Sequence, residues 1–375
     1  MSTLATNAIT DAAGGNTASI NSYTPTESNM AGRNRIINGD MRIDQRNAGA
    51  AVTINSSAYT YPVDRFAGFG ESTDGVFTLQ QSSTAPTGFT NSLLATVTTA
   101  DASIGASQRY FVRQGIEGYN IADLGYGTAA AATVTLSFYV RSSLTGTFGG
   151  SFMNDAFSRA YPFTYTISTA NTWEQKSVTI AGDTSGTWLT TNGGGIYVIF
   201  SIGAGSSRVG TAGAWQTPAS PLFGATGQTN IIATNGATWQ ITGVQLEEGS
   251  VATPFERRQY GQELALCQRY LPVFSALASS RFNAGYFYTS TVFYSNFVFQ
   301  VPTRVTPTGI ATTGSFNATY LTAQQATTPS WLGEASTTQA GVYGVVSGGV
   351  SAGIGMALAA TSGGGVTIQF TGCEL

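Results

Sequence analysis

The sequence contains no histidine, and charged residues make up only 9% of its 375 positions. Histidine is the usual general base and the commonest metal ligand, so its absence excludes Ser-His-Asp and Cys-His catalytic arrangements. Catalysis by carboxylates alone, as in glycoside hydrolysis, remains possible. The apolar fraction is an ordinary 42%, so the chain has enough apolar content to fold and is not expected to be disordered throughout.

Positive charge is scarce as well. The net charge is −3, and Lys176 is the only lysine. No basic stripe is available to neutralise phosphates, so we expect no nucleic-acid partner. No apolar run approaches the ~20 residues of a membrane-spanning helix, and Met1–Thr6 lacks the basic and apolar pattern of a secretory signal. We therefore predict no membrane span and no export by the general secretory route.

The two cysteines, Cys267 and Cys373, lie far apart and match no metal-ligand spacing. We expect two reduced thiols, and we predict no cofactor and no metal site.

Most of the chain reads as short β-strands separated by turns. Residues 1–35 are small and polar, without a period of 2 or 3.6, and suit either a floppy terminus or a docking arm. In residues 36–252, Val134, Leu136, Phe138 and Val140 alternate with polar or exposed positions, as in a half-buried strand. Further strands are predicted at residues 163–167, 177–180 and 196–202. This spacing predicts an all-β sandwich or jelly roll.

The strand predicted at residues 239–247 changes phase halfway. Trp239 and Ile241 share one parity, whereas Val244 and Leu246 share the other. A β-bulge at Gly243 would return all four side chains to the same core.

One helix is predicted at residues 253–272, where it would connect two domains. Thr253-Pro-Phe-Glu256 has the pattern of a capping box, with Thr253 and Glu256 as the capping side chains. Apolar residues then recur at helical spacing, and Pro272 ends the segment.

Residues 273–375 are predicted to form a second, β-rich domain. From Phe282 onward the ionisable acids and bases are Arg304, Glu334, Glu374 and the thiol of Cys373. Phenylalanines at odd positions alternate with tyrosines and valines at even positions across 287–299, which indicates strands covered on both faces. Because so little charge keeps this surface soluble, we expect copies of the chain to cover part of it.

A set of motifs in residues 1–271 resembles phage tail-fibre and related virion proteins of tailed phages, notably phages of cyanobacteria and marine bacteria. The motifs occupy residues 38–46, 63–66, 241–249, 252–258 and 267–270. More distantly, the region is similar to jelly-roll carbohydrate-binding modules, many of which hold a structural Ca²⁺ on acidic residues. Arg42 and Thr242-Gly243 occupy the corresponding positions here, so the hard oxygen ligands are missing and no calcium site is expected.

The resemblance implies a non-catalytic tail fibre, a homotrimer located in the virion and assembled in the host cytoplasm. Residues 1–35 would dock to other phage tail or portal-region proteins, and residues 273–375 would form the distal knob. The partner at the far end would be host-surface polysaccharide or lipopolysaccharide. A purely structural virion component (fibre base, adaptor or head decoration) and a glycan-cutting tailspike are the alternatives.

Sugar binding uses aromatic rings surrounded by hydroxyl, amide and carboxylate groups. The C-terminal region supplies five candidate glycan-binding residues: Tyr286, Tyr288, Tyr294, Tyr320 and Trp331. Core packing is the alternative role for each of them. No catalytic pair of carboxylates is evident, because the candidate acids are scattered: Asp40, Asp44, Asp64, Asp155 and Glu174.

Overall fold

The computed structural model describes residues 32–71, 74–321 and 323–375. The chain divides into two compact units, Met1–Arg257 and Arg258–Leu375. The arm predicted at residues 1–35 lies outside the described residues up to position 31, and residues 32–35 belong to the first unit.

The first unit is a β-sandwich. Its strands are β1 (Val52–Ile54), β2 (Thr60–Val63), β3 (Phe66–Gly70), β4 (Val76–Ser82), β5 (Ser92–Thr99), β6 (Arg109–Glu117), β7 (Val134–Ser142), β8 (Gly146–Met153), β9 (Ala160–Ile167), β10 (Glu174–Ile180), β11 (Gly194–Ala204), β12 (Val209–Gly210), β13 (Gly224–Ala225) and β14 (Thr238–Glu248). Short 3-10 helices lie at Gly118–Asn120, Ala122–Leu124 and Ile231–Ala233. One six-stranded sheet has the order β1-β4-β5-β14-β7-β10, and the other has the order β2-β3-β6-β11-β8-β9.

The alternating side chains of both sheets meet in one core. Val134, Leu136, Phe138 and Val140 of β7 are at most 1% exposed and pack against the inner face of the second sheet. The strands predicted at residues 163–167, 177–180 and 196–202 lie within β9, β10 and β11. The jelly-roll-like all-β class is therefore confirmed, because period-2 alternation gives each sheet one apolar face to bury.

The predicted β-bulge is present. The register of β14 against β7 shifts between Thr242 and Gln245, and Gly243 has a φ of +61°. Trp239, Ile241, Val244 and Leu246 are all fully buried in the same core. One extra residue at the bulge reverses the side-chain parity, and glycine adopts the required left-handed conformation without a Cβ penalty.

The second unit contains one α-helix among the described residues, α1 (Tyr260–Gln268). Its strands are β15 (Val273–Ala276), β16 (Arg281–Phe287), β17 (Val292–Val298), β18 (Gly309–Thr313), β19 (Phe316–Tyr320), β20 (Ala323–Thr327), β21 (Ser330–Ala335), β22 (Gln339–Val345), β23 (Gly355–Ala360) and β24 (Val366–Thr371). A three-stranded sheet, β15-β24-β18, packs with a seven-stranded sheet of order β20-β19-β23-β16-β17-β22-β21. The seven-stranded sheet curls, since the Thr327 hydroxyl donates to the Val345 carbonyl at 3.0 Å.

The helix begins seven residues later than the sequence pattern predicts. Gln259 is its N-cap residue, and no side chain caps it. Thr253 instead donates its backbone N–H and hydroxyl to the Glu247 carboxylate, at 2.8 and 2.6 Å. Glu256 accepts hydrogen bonds from backbone N–H groups near the start of the described chain. The assignment of Thr253 and Glu256 as a helix cap was wrong because both side chains have tertiary partners.

The even-numbered side chains of the β16–β17 hairpin are only partly covered by the described residues. Phe287, Phe293 and Phe297 are at most 1% exposed, whereas Tyr288 and Val298 are 58% and 65% exposed. The expectation of cover on both faces therefore holds within the chain for the phenylalanine face alone.

Candidate functional site

Four of the five motifs that carry the resemblance contribute to a buried polar network of the first unit, whereas residues 267–270 belong to the second unit. The side chain of Asn34 bridges β14: its amide donates to the Val244 carbonyl at 3.1 Å, and its oxygen accepts from the Leu246 N–H at 3.1 Å. The Glu256 carboxylate accepts from the Asn34 N–H at 2.7 Å. The Gln245 oxygen accepts from the Glu256 N–H at 2.7 Å. These groups hold backbone segments together, so the motifs have a structural role.

The first motif forms a second part of this network. Asn38 donates its amide to the carbonyls of Ile43 and Asp64, at 2.8 and 2.9 Å. The Asp64 carboxylate accepts from the backbone and the side chain of Gln45. Asn38 and Asp64 are both at most 1% exposed, and buried polar groups satisfied in this way fix the path of a loop.

The outer face of the second sheet is aromatic but is covered by the chain itself. Phe223 stacks on Phe111, with ring centroids 4.7 Å apart, and Phe111 stacks on Phe69 at 5.0 Å. All three are at most 4% exposed. These three rings are therefore closed to a ligand, although Tyr59, which packs 5.4 Å from Phe69, is 41% exposed.

A shallow groove lies on the outer face of the first sheet, with a volume of about 450 Å³. Phe89, Tyr139 and Phe255 are half-buried around it, with the Phe89 ring 5.3 Å from each of the other two. The guanidinium of Arg257 lies 4.7 Å from the centre of the Phe89 ring and donates to the Gly88 carbonyl. The rings therefore pack mainly on one another and on Arg257.

A larger groove, which we call the tyrosine groove, lies on the seven-stranded sheet of the second unit. Its volume is about 710 Å³. It is lined by Ala284, Gly285, Tyr286, Tyr294, Ser295, Asn296, Leu332, Glu334, Ala335, Ser336, Gln339 and Gly341. Gly341 makes room for one wall, because a Cβ there would lie 2.8 Å from Leu332 Cδ2.

Three tyrosines form a connected group beside this groove. Tyr286 and Tyr294 are cross-strand partners on β16 and β17, with ring centroids 6.2 Å apart at 80°. Tyr288 stacks on Tyr294 at 5.0 Å and 14°. Tyr286 and Tyr288 are 50% and 58% exposed. Exposed rings held by each other and by a sheet present fixed apolar faces to a ligand.

Amide groups lie next to the rings. Asn296 and Gln339 are exposed, and the Asn296 amide donates to the Gln339 oxygen at 3.2 Å. This bond leaves the Asn296 oxygen as an acceptor and the Gln339 NH₂ as a donor. The exposed carboxylate of Glu334 adds further acceptors. Rings, amides and a carboxylate in one groove are the groups that bind hydroxyl-rich ligands.

The structure brings together three of the five predicted glycan-binding residues: Tyr286, Tyr288 and Tyr294. Tyr320 packs edge-on against Phe287, with centroids 5.2 Å apart, and its hydroxyl accepts from Gln325. Trp331 packs against the core, 6.4 Å from Phe370. The last two therefore have packing roles and do not line the tyrosine groove.

Sequence reasoning missed the polar half of the groove. Asn296 shares the parity of Tyr294 and lies opposite Gly341 in the register of β17 and β22. The β17 parity was available from the sequence, but its pairing with β22 was not. Glu334 stands out in the sequence because acidic residues are rare after Phe282, but the sequence does not place it in the groove.

The scattered carboxylates have structural partners. Asp40 pairs with Arg42, Asp44 accepts three backbone N–H groups, and Glu174 accepts from Lys176 at 2.6 Å. Lys176 lowers the pKa of Glu174 by this hydrogen bond. Tyr197 donates to Asp155 at 3.0 Å. The tyrosine groove contains one carboxylate, that of Glu334, rather than a pair.

Within residues 32–71, 74–321 and 323–375, no group of three or more Cys, Asp or Glu side chains is arranged to hold a metal ion. No helix in this part of the chain is long and apolar enough to cross a membrane. Both cysteines are buried and unpaired with each other.

No protein-family profile matches the chain, and no curated protein sequence matches it. Solved structures that it resembles include a putative sugar binding protein from Bacteroides thetaiotaomicron VPI-5482, at 14% identity and a TM-score of 0.30, covering 58% of this chain and 100% of that one. A CBM4 structure is 12% identical, with a TM-score of 0.27 and coverage of 56% and 98%.

A family 11 carbohydrate-binding module from Clostridium thermocellum, in complex with a β-1,3-1,4-mixed-linked tetrasaccharide, is 8% identical. Its TM-score is 0.27, and the match covers 54% of this chain and 98% of that one. At such scores the likeness adds no weight to the site described above.

Proposed function

We propose that this chain is a phage tail fibre, a non-catalytic virion protein that binds host-surface polysaccharide or lipopolysaccharide through the tyrosine groove. The fibre assignment is supported by the motifs in residues 38–46, 63–66, 241–249, 252–258 and 267–270, which resemble those of tail-fibre proteins. Residues 1–35 would attach it to tail or portal-region proteins of the virion.

The observation that carries the binding role is the joined set of Tyr286, Tyr288 and Tyr294 beside Asn296 and Gln339. The apolar face of a pyranose ring stacks on an aromatic ring, while its hydroxyls need donors and acceptors at the rim. The tyrosine groove supplies both within one sheet face.

The same groove favours binding over hydrolysis. Glycoside hydrolysis uses two carboxyl groups about 5 to 9.5 Å apart across the scissile bond. Glu334 is the one acid that lines the groove, so an acid and its partner base are not both available.

Binding is tested with purified full-length protein on an array of bacterial surface polysaccharides. We expect retention by the wild-type chain and at least about tenfold weaker binding by Tyr294→Ala, equivalent to roughly 1.4 kcal/mol. Tyr119→Ala is the matched control, because Tyr119 is 60% exposed on the first unit and lines neither groove.

The same samples separate the alternatives. Release of shortened glycan with new reducing ends would overturn the non-catalytic assignment. Equal retention of wild-type protein and Tyr294→Ala would overturn the tyrosine groove as the binding site. No retention on any polysaccharide, with no slowing of phage adsorption by added full-length protein, would favour the purely structural virion component.

A further inference from the structure

The charge of the tyrosine groove comes from one residue, Glu334. It lies in β21, where pairing with β22 is irregular between Trp331 and Ala335. Gly333 within this irregularity has a φ of +85°, a conformation that glycine adopts readily. Trp331 packs against the core, while Leu332 and Glu334 line the groove.

Nothing in the described residues neutralises this carboxylate. Glu334 is exposed and forms no hydrogen bond or ion pair there, and none of the groove residues is Lys or Arg. Arg304, the one cation after Phe282 in the sequence, donates instead to the carbonyls of Cys373 and Glu374, at 2.8 and 2.6 Å. The groove therefore has a net negative charge at neutral pH.

A carboxylate beside the bound ligand discriminates by charge. It repels uronic acids, sialic acids and phosphorylated sugars, and it attracts protonated amino groups. It also accepts hydrogen bonds from neutral hydroxyls. Because the groove is open to solvent and salt, the discrimination is moderate in size.

The tyrosine positions also indicate how a ligand lies. Tyr286 of β16 and Tyr294 of β17 are cross-strand partners, and Gln339 of β22 and Glu334 of β21 continue the lining on the next two strands. Neighbouring strands lie about 4.8 Å apart, so this row crosses the strands. An extended glycan that follows the row meets side chains from successive strands.

We infer that the tyrosine groove takes a glycan of neutral or amino sugars, lying across the strands, and excludes acidic glycans through Glu334. This inference rests on the proposed glycan-binding function and names the ligand class for that site.

The test uses full-length protein and three tetrasaccharide probes of similar size. The first is the tetramer of N-acetylglucosamine (neutral), the second its fully de-N-acetylated form (cationic), and the third tetragalacturonate (acidic). Calorimetry at low salt measures Kd for the wild type and for Glu334→Gln, which keeps the shape and removes the charge. Glu374→Gln is the control, since it removes a carboxylate that does not line the groove.

We expect the wild type to bind the cationic and neutral probes and to bind the acidic probe at least about tenfold more weakly. Glu334→Gln should weaken binding of the cationic probe about three- to tenfold and strengthen binding of the acidic one by a similar factor. The neutral probe should change less than twofold, and Glu374→Gln should resemble the wild type.

Two failures are distinguishable. Equal binding of all three probes, unchanged in Glu334→Gln, would overturn the charge inference and leave glycan binding intact. If neither the cationic nor the neutral probe binds while Tyr294→Ala and the wild type retain array polysaccharides equally, the groove loses both its ligand class and its proposed role.

Discussion

Single residues determine how closely the chain segments of the first unit approach. Gly243 combines a φ of +61° with a crowded surface, because a Cβ there would lie 2.7 Å from Phe89 Cζ. Gly236 has a similar φ of +74°, but nothing lies within 4 Å of its Cβ position. An alanine at Gly243 would therefore meet both backbone strain and side-chain crowding, whereas an alanine at Gly236 would meet backbone strain alone.

We expect Gly243→Ala to lower the free energy of unfolding of the first unit by about 2 to 4 kcal/mol, through strain at positive φ and displacement of the Phe89 ring. Gly236→Ala should cost about 1 kcal/mol, from strain alone. Urea unfolding followed by tryptophan fluorescence measures both. Equal losses would contradict the role of the Phe89 contact.

The buried thiol of Cys373 predicts how the stability of the fold depends on pH. Burial raises its pKa to about 11, and the neutral thiol donates to the Val305 carbonyl at 3.2 Å. An unfolded cysteine has a pKa of about 8.5, so the unfolded chain releases this proton first as pH rises. The folded state should therefore lose stability between about pH 9 and pH 11.

Denaturant unfolding of the wild type and Cys373→Ala at pH 8, 9, 10 and 11 isolates this contribution. We expect the wild type to lose more stability than the variant over this interval, because ionising tyrosines affect both proteins alike. Parallel pH profiles would show that the thiol is not held in its neutral form.

At the scale of elements, residues 249–257, which follow β14, are held against the first unit by hydrogen bonds to Glu247; we call this segment the clamp. The Glu247 carboxylate is 1% exposed and accepts from Gln245 as well as from the backbone and hydroxyl of Thr253. Charge-assisted bonds of this kind stabilise a fold by about 1.5 to 3 kcal/mol each in favourable cases. The clamp therefore fixes where the chain leaves the first unit.

We predict that Glu247→Gln lowers the free energy of unfolding by about 1 to 3 kcal/mol and speeds tryptic cleavage at Arg257 and Arg258. Glu248→Gln is the matched control, since Glu248 is partly exposed and its side chain forms no hydrogen bond with the described residues. Identical cleavage rates in the two variants would contradict the clamp.

At the scale of the whole molecule, the low number of charged residues in the second unit suggests that part of its surface is buried by assembly. Leu277 and Leu321 of the second unit are 81% and 80% exposed, in a region with few charges to keep it soluble. We predict a homotrimer, as the tail-fibre resemblance implies, in which copies of the chain would cover such residues.

Analytical ultracentrifugation of the full chain tests the trimer. We expect a mass of about 117 kDa, three times the 38.9 kDa of one chain, that persists on dilution. A stable monomer of 38.9 kDa would contradict both the trimer and the expectation that copies of the chain cover this charge-poor surface.

Local patterns predicted the fold well where one interaction dominated. The alternation of Val134 to Val140 and the phase change at Gly243 follow from the need to bury one face of each strand. The predicted start of the helix was wrong. Thr253 suits a helix N-cap by residue type, but its hydroxyl donates to the buried Glu247 carboxylate instead. Tyr320 and Trp331 could not be told from Tyr294, since exposure depends on which strands become neighbours.

The all-β class, the β-bulge and the scarcity of charge in the second unit could all be read from the sequence, because they depend on side-chain period, glycine and composition. That Asn296, Gln339 and Glu334 join Tyr286 and Tyr294 in one groove became visible only in the folded chain. Strand order and register place residues far apart in sequence side by side, and no local propensity encodes that pairing.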